Sequence, residues 1–239
     1  MENVFYCEFI QSVGSRHSQE DSATFVVDKG GAGLFVIADG MGGMTAGALA
    51  SKSITQACEK FFAEYADLTT TSPNLFLSEL LKVSNDAVRD NLNGATGGST
   101  ILAVLIVGHE IWWLSVGDSV LLLFRDGKLA RLNANHSYID YKTRTFCKAF
   151  EHSNILASAV MGKDILYKDI PSSPFRARKN DLLLVSSDGI MDIAPKGLEK
   201  IIKTHFLSPG IILRTAVSEI LRDYANTADN ITSYALRFM

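Results

Sequence analysis

The stretch that decides the fold covers residues 99–132 and reads STILAVLIVGHEIWWLSVGDSVLLLFRDGKLARL. It is interrupted at Gly108-His109-Glu110 and Gly117-Asp118-Ser119, so no apolar run is long enough to span a membrane. Its β-branched and aromatic content predicts strands at Thr100–Val107, Ile111–Val116, Val120–Phe124 and Lys128–Leu132. Because the connections are short, these strands predict an antiparallel meander with Asp126-Gly127 as a hairpin turn.

Strand and helix patterns continue on both sides of this stretch. Before it, strands are predicted at Val4–Ile10, Ala23–Asp28 and Leu34–Ala38, and a 3.6-residue apolar period predicts a helix from Thr45 to Tyr65. A second helix is predicted to begin with Ser72 as its cap and Pro73 in its first turn, and to end near Leu92. After the stretch, the predicted elements are a strand at Asp181–Val185, helices at Lys196–His205 and Gly210–Tyr224, and a strand at Ile231–Phe238.

This order of elements predicts an α+β fold. Hairpin-type connections dominate and βαβ alternation is absent, which disfavours a doubly wound parallel sheet. Two antiparallel sheets packed face to face, with helices outside them, would bury the apolar faces of these elements. No linker divides the sequence, so residues 1–239 are expected to form one domain.

The composition excludes several classes of protein. Of the 239 residues, 47% are hydrophobic and 21% are charged, as in ordinary globular proteins. A net charge of -3 gives no electrostatic footprint for nucleic acid or for an anionic membrane. The three cysteines, Cys7, Cys58 and Cys147, are far apart and odd in number, which favours a reducing compartment. Met1–Val4 lacks the pattern of a signal peptide, so we expect a cytoplasmic protein.

Four short acidic motifs carry the functional signal. They are Gln19-Glu20-Asp21, Asp39–Gly43, Ser187-Asp188-Gly189 and Asp229-Asn230. The last three adjoin apolar runs, where a carboxylate is costly unless a cation compensates its charge. If folding brings these carboxylates together, divalent metal ions would relieve their repulsion. Oxygen ligands without paired histidines or cysteines favour Mg²⁺ or Mn²⁺ over zinc.

Each motif has a simpler interpretation when it is taken alone. Asp126-Gly127, between two predicted strands, fits an ordinary turn. Asp39-Gly40 instead opens a Gly-rich entry to a helix, for which a phosphate cradle is the alternative, although the lysine of a P-loop is missing. Arg16 is either a clamp for a phosphate or a surface arginine paired with Glu20. Asp229 could equally terminate the preceding helix.

Taken together, the motifs resemble those of the metal-dependent protein phosphatases of type 2C, especially the compact bacterial members. The resemblance runs through Gly14-Ser15-Arg16, Gln19-Glu20-Asp21, Asp39–Gly43, Gly97–Thr100, Gly117-Asp118-Ser119, Asn154–Gly162, Ser187-Asp188-Gly189 and Asp229–Thr232. It implies a four-layer αββα sandwich, in agreement with the predicted element order. It also implies hydrolysis of phosphoserine and phosphothreonine in proteins by a metal-activated water.

The resemblance also assigns roles to individual residues. It implies metal ligands at Glu20, Asp39, the Gly40 carbonyl, Asp118, Asp188 and Asp229. Asp39 would bridge two Mn²⁺ or Mg²⁺ ions, with Asp188 and Asp229 completing one site and Glu20 and Gly40 serving the other. Asp118 would help to bind a third, weaker ion.

Two further residues have roles by the same resemblance. Arg16 would bind the phosphate, and Asp21 would support the ligands. Arg16 and Asp39 are therefore the expected catalytic residues.

Several residues depart from the pattern of the family. Val120 stands where an arginine commonly follows Gly-Asp-Ser, and Asn135 stands where an aspartate precedes His-Ser. Gln19 replaces an asparagine, and Met41 leaves no histidine beside Asp39. These departures concern substrate recognition and the polar segment Ser137–Ser153, which is predicted to be a loop or a flap.

Two alternatives to the enzyme therefore stay open: a catalytically weak relative that binds a phosphoprotein, and a hydrolase of small phosphate esters. The expected partners are a phosphorylated protein substrate and a cognate serine/threonine kinase, without nucleic acid or a membrane.

Overall fold

The strands and helices are described by a computed structural model that covers residues 4–42, 44–136 and 156–239. The strands are β1 (Phe5–Ser12), β2 (Asp21–Val27), β3 (Gly33–Met41), β4 (Gly98–Ser99), β5 (Ile101–Val107), β6 (Glu110–Val116), β7 (Val120–Arg125), β8 (Lys128–Arg131), β9 (Phe175–Arg176), β10 (Leu182–Ser186) and β11 (Ile231–Phe238). The helices are α1 (Met44–Glu64), α2 (Leu68–Thr71), α3 (Pro73–Leu92), α4 (Pro195–His205) and α5 (Pro209–Asp223), with a 3₁₀ helix at Asp188–Asp192. The predicted loop or flap at Ser137–Ser153 lies outside the described residues.

Two antiparallel sheets form the centre of the molecule. One has the strand order β1-β11-β10-β7-β8 and the other has the order β2-β3-β5-β6-β9, with β4 beside the end of β3. Their facing sides bury Phe35, Leu102, Leu183 and Leu236 between them. The predicted α+β fold with two antiparallel sheets is therefore confirmed.

The outer face of each sheet is covered by a pair of helices. Apolar residues of α1 and α3, such as Ile54 and Leu80, pack on the sheet that contains β3 and β5. Those of α4 and α5, such as Ile202 and Leu213, pack on the sheet that contains β7 and β10. The result is four layers, α-β-β-α, each sheet being buried on both faces. Within the described residues, the helices are too short or too polar to cross a membrane.

The predicted meander through residues 100–132 is wrong in its connectivity. β5 and β6 pair in one sheet, whereas β7 and β8 pair in the other, and Gly117-Asp118-Ser119 carries the chain between the two. All of these strands except β8 are buried almost throughout, so their sequences carry no alternation that would reveal a change of sheet. The turn also needs Gly117, which has φ +106° and where a Cβ would overlap the Thr100 side chain.

The predictions for one turn and two helix ends have different outcomes. Asp126 and Gly127 both have positive φ, +52° and +76°, and they join the paired residues Arg125 and Lys128, so the predicted hairpin turn is confirmed. Ser72 stands at the cap position of α3, but its side chain makes no capping hydrogen bond. The alternative that Asp229 ends a helix is wrong, because α5 ends at Asp223.

The layer between the sheets makes the largest demand on packing. Leu102 is fully buried there, so Leu102→Ala should lower the free energy of unfolding by about 2–5 kcal/mol. Urea denaturation followed by the fluorescence of Trp112 and Trp113 measures the change. Leu166→Ala is the matched control, since Leu166 is 74% exposed and its loss should cost less than about 0.5 kcal/mol. Equal losses in the two variants would contradict the assigned core.

Candidate active site

The ends of five strands meet at one edge of the two sheets. In one sheet, Ser186 at the end of β10 pairs with Val120 at the start of β7 and with Ser233 near the start of β11. In the other sheet, Asp21 at the start of β2 pairs with Asp39 near the end of β3. The acidic motifs lie at or just beyond these ends, so the register of the two sheets brings together motifs that are far apart in sequence.

A cleft of about 430 Å³ opens at this edge. It is lined by Arg16, Ser18, Glu20, Asp39, Gly40, Met41, Gly42, Thr100, Asp118, Leu156, Asp188, Asp229 and Asn230. Each residue for which the sequence predicted a catalytic or metal-binding role is in this set. Folding therefore brings all of them to one cavity, and Asp21 lies beside it as the neighbour of Asp39.

Asp39 is fixed by Thr100, which lies at the start of β5. The Asp39 backbone N–H donates to Thr100 Oγ1 at 3.0 Å, and the Thr100 N–H donates to the Asp39 carbonyl at 2.8 Å. The Thr100 hydroxyl also hydrogen-bonds Ser119 Oγ at 2.8 Å. Thr100 thus links the end of β3 to the turn that carries Asp118.

Glu20 lies against the first turns of α1 because two glycines leave room for it. A Cβ on Gly47 would overlap Glu20 Oε2, and a Cβ on Gly40 would overlap the backbone carbonyl of Gly47. Ser51, one turn further along α1, donates to the Glu20 carbonyl at 2.6 Å. The glycines after Asp39 therefore serve the close approach of three chain segments.

Asn230 and Ser187 hold the two sheets together at the rim of the cleft. The Asn230 side chain accepts from the Glu20 N–H at 2.8 Å and donates to the carbonyls of Val13 and Ser18. Ser187 Oγ donates to Asp21 Oδ2 at 2.8 Å across the sheets. Neutral groups thus fix the backbone from which the carboxylates project.

Three residues, the last of β8 and two that follow it, clamp the turn that carries Asp118. Arg131 Nη2 donates to the carbonyls of Asp118 and Ser119, at 2.9 and 3.1 Å, and Asn133 Nδ2 donates to the Ser119 carbonyl at 2.8 Å. His136 Nδ1 accepts from the Gly117 N–H at 3.0 Å, which requires an unprotonated Nδ1. Burial lowers the pKa of His136 to about 4, in keeping with a neutral ring.

Arg16 forms an ion pair across the cleft mouth. Its Nη2 lies 2.7 Å from Asp229 Oδ2, and both side chains are substantially exposed. The ion-pair partner of Arg16 is therefore Asp229 and not Glu20, as the alternative had it. An exposed pair of this kind contributes no more than about 1 kcal/mol, so the guanidinium can exchange Asp229 for another anion at little cost.

The carboxylates of the cleft disfavour one another's ionisation. Burial first, and then the charges of Asp21, Asp188, Asp118 and Asp229, raise the pKa of Asp39 well above its usual range. Burial together with the Asp188 charge raises the pKa of Asp118 to about 7, and burial raises that of Asp21 to about 6. Burial also raises the pKa of Glu20. Raised carboxyl pKa values of this kind are expected where a cation is needed to stabilise the ionised carboxylates.

The ligand chemistry of the cleft fits a hard divalent cation. Its charged donors, Glu20, Asp39, Asp118, Asp188 and Asp229, are all carboxylates, the ligands preferred by Mg²⁺ and Mn²⁺. As the side chains stand, however, no three His, Cys, Asp or Glu residues of the described chain are grouped closely enough to hold one ion. Mutual repulsion and the ion pair of Asp229 with Arg16 both act to keep the carboxylates apart.

The comparison with protein families identifies the family of this chain. The model of the family described as protein phosphatase 2C matches residues 13–230. The chain belongs to the protein phosphatase 2C family. The family prediction made from the motifs is thereby confirmed.

Individual members of the protein phosphatase 2C family agree in sequence. The chain is 29% identical over 203 residues to the serine/threonine phosphatase stp of Listeria welshimeri, with 79% of each chain covered. It is 28% identical over 179 residues to the serine/threonine protein phosphatase PstP of Mycobacterium tuberculosis, with 68% of this chain and 32% of PstP covered.

Solved structures agree in fold. The serine/threonine phosphatase of S. agalactiae superposes with a TM-score of 0.82 at 22% identity, covering 98% of this chain and 100% of that one. The catalytic domain of PstP, solved in complex with two manganese ions, gives a TM-score of 0.75 at 20% identity, with 98% and 97% covered. At these identities the likeness establishes the shared fold.

The residues that clamp the turn around Asp118 were missed by the sequence analysis. His136 has no metal-type spacing in the sequence, and Arg131 belongs to none of the motifs. One signal was available: strand alternation places Arg131 on the same face as Leu129, and therefore on an inward-facing position where a charge is unusual. An inward arginine at the end of a strand is a candidate neighbour of buried acidic groups.

The raised carboxyl pKa values predict how stability changes with pH in the presence of a metal chelator. In the unfolded chain these groups titrate near 4, so the folded protein binds their protons more tightly. Stability should therefore rise as the pH falls from about 8 to about 6.5, by roughly 1 kcal/mol for Asp118 alone. Below that range, the lowered pKa of His136 opposes the gain. Thermal unfolding followed by circular dichroism measures the effect.

A pair of variants tests the assignment of this pH effect. Asp118→Asn should remove part of the rise in stability, because one of the titrating groups is gone. Asp126→Asn, in the exposed hairpin turn, should leave the rise unchanged. A melting temperature that does not depend on pH between about 8 and 6.5 in the wild-type protein would contradict the assigned repulsion.

Proposed function

We propose that this chain hydrolyses phosphoserine and phosphothreonine in proteins, with two Mn²⁺ or Mg²⁺ ions and a third, weaker ion at Asp118. The single observation that carries the proposal is the meeting of five carboxylates and Arg16 in one cleft of a protein phosphatase 2C member. The relatives named serine/threonine phosphatases support the reaction. The proposal extends to one catalytic domain over residues 1–239, located in the cytoplasm.

The proposed ligands divide the cleft into two halves. Asp39, on the inner strand β3, would contribute to both ions, as the resemblance to the family implies. Asp188 and Asp229 would hold one ion from the sheet of β10 and β11. Glu20 and the Gly40 carbonyl would hold the other from the sheet of β2 and β3. Binding would have to draw these carboxylates together and release Asp229 from Arg16.

When bound, the cations would lower the pKa of a water enough for it to ionise at neutral pH. They would also offset negative charge on the phosphoryl oxygens. Arg16 would then bind the phosphate, because its exposed pair with Asp229 is weak and a guanidinium matches phosphate oxygens in geometry. Thr100 and Ser51 hydrogen-bond the backbones of Asp39 and Glu20 and would keep both ligands in place.

The departures at Val120 and Asn135 do not alter the proposed ligands. Val120 packs in the apolar layer beneath α4 and α5, and Asn135 is buried. We therefore prefer the enzyme to the alternative of a catalytically weak relative that binds a phosphoprotein. A cognate serine/threonine kinase would supply the substrates, since the reaction reverses protein phosphorylation.

Hydrolysis of a phosphothreonine peptide with added Mn²⁺ tests the proposal. The wild-type protein should release phosphate, and Asp39→Asn and Asp188→Asn should each lower the rate by about a hundredfold or more, since both would weaken cation binding. Asp126→Asn, in the distant hairpin turn, is the matched control and should keep full activity. No turnover in the wild type would favour the phosphoprotein-binding alternative, and turnover of p-nitrophenyl phosphate alone would favour a small-ester hydrolase.

The contact between α1 and Glu20 gives a second test that does not depend on turnover. In Gly47→Ala, the added methyl would overlap Glu20 Oε2 and crowd the backbone of Gly40 and Met41, so Mn²⁺ affinity measured by titration calorimetry should fall by about tenfold or more. Gly197→Ala is the matched control, because Gly197 is also a helical glycine and its added methyl would meet only the Ile193 side chain. Equal affinity in both variants would remove Glu20 from the proposed ligands.

A further inference from the structure

Arg131 is a buried cation behind the wall of the cleft. It is the last residue of β8 and only 6% exposed. Its guanidinium lies beneath the Gly117-Asp118-Ser119 turn, where Nη2 donates to two backbone carbonyls and Nε donates to Asn133 Oδ1 at 3.3 Å. These three acceptors are neutral oxygens, so they satisfy hydrogen-bonding capacity without balancing the charge.

Two of the three negative charges that favour the ionised form of Arg131 are carboxylates of the cleft. Burial lowers the pKa of Arg131 to about 10, whereas the charges of Asp118, Asp188 and Asp169 act in the opposite direction. Of these, Asp118 and Asp188 line the cleft. The attraction is mutual, because a cation that is stabilised by two carboxylates also stabilises their ionised forms.

Arg125 shows what an arginine with its own carboxylate looks like in this protein. Its Nε and Nη2 bind the two oxygens of Asp181 at 2.8 and 2.6 Å, and Asp181 is almost fully buried. The positive charge of Arg125 is thus neutralised where it stands. Arg131 instead donates to neutral oxygens, and the charges that favour its ionised form are those of Asp118, Asp188 and Asp169.

We propose that Arg131 is a built-in counter-charge for the cleft, which holds the Asp118 turn and weakens the binding of a divalent cation at Asp118. This inference rests on the proposed function, since it concerns the third ion of that site. A fixed positive charge behind Asp118 supplies part of the compensation that the carboxylates need, and it repels any further cation that binds there. Asp118 acts on Arg131 more strongly than Asp188 does, so cation binding at the other carboxylates would be affected less.

Replacing Arg131 by glutamine tests the charge separately from the hydrogen bonds. The amide of Arg131→Gln can still donate to a carbonyl of the turn but carries no charge. In titrations of the whole chain with MnCl₂, followed by calorimetry and by the electron paramagnetic resonance of free Mn²⁺, we expect the weakest binding step to tighten by about tenfold. The tighter steps should change by less than about threefold.

Arg131→Lys is the matched control, because it keeps the charge and changes the donor geometry. Its weakest step should stay within about twofold of the wild-type value. Weaker or unchanged binding at the weakest step of Arg131→Gln, with normal Mn²⁺ binding and turnover in the wild type, would overturn the inference while leaving the proposed function intact. Absence of Mn²⁺ binding in the wild type would overturn both.

Thermal unfolding provides a readout that a purely structural role would not produce. The stability lost in Arg131→Gln should be larger with a chelator than with saturating Mn²⁺, because bound cations replace the missing charge. An equal loss in both conditions would contradict the counter-charge. If Arg131→Gln does not fold without divalent ions, Arg131→Lys decides, since a weakest step tightened by about tenfold in that variant would overturn the inference.

Discussion

Repulsion among carboxylates is the constraint on which the arrangement of this molecule depends. Asp39, Asp118 and Asp188 project into the same cleft from three chain segments, and each disfavours the ionisation of the others. The free energy that holds them together comes from elsewhere, chiefly from the apolar layer between the sheets and from the two layers under the helices. Close to the carboxylates, the fold relies on neutral donors such as Thr100 and Asn230, which fix the backbone without adding charge.

The crossing of the chain between the sheets brings Asp118 to the other carboxylates. A meander through residues 100–132 would have kept the Gly117–Ser119 turn within a single sheet. Since β7 joins the other sheet, the turn spans the edge where both sheets end, and Asp118 faces Asp188. Arg131, at the end of β8, and His136 then hydrogen-bond the turn from the side opposite the cleft.

Much of the fold was predictable because its signals are local. Ile231–Phe238 and the Asp126-Gly127 hairpin were identified from strand content and turn chemistry alone, and the acidic motifs were identified because carboxylates adjoin apolar runs. The crossing between sheets was not predictable in this way, since strands buried on both faces have the same sequence pattern in either sheet. The role of Arg131 depends on that crossing, so it could not be derived before the sheets were assigned.

Arg16 lines the cleft and Arg131 lies behind its wall, so their charges act on different groups. Arg16 stands in front of the carboxylates and is exposed, so its charge is exchangeable and available to a phosphate. Arg131 stands behind them and is buried, so its charge is not available to a phosphate in the cleft. Val120, where the family commonly has an arginine, packs in an apolar layer. Since Arg131 approaches the same turn from the neighbouring strand, the apolar residue at position 120 does not leave the Asp118 turn without a cation.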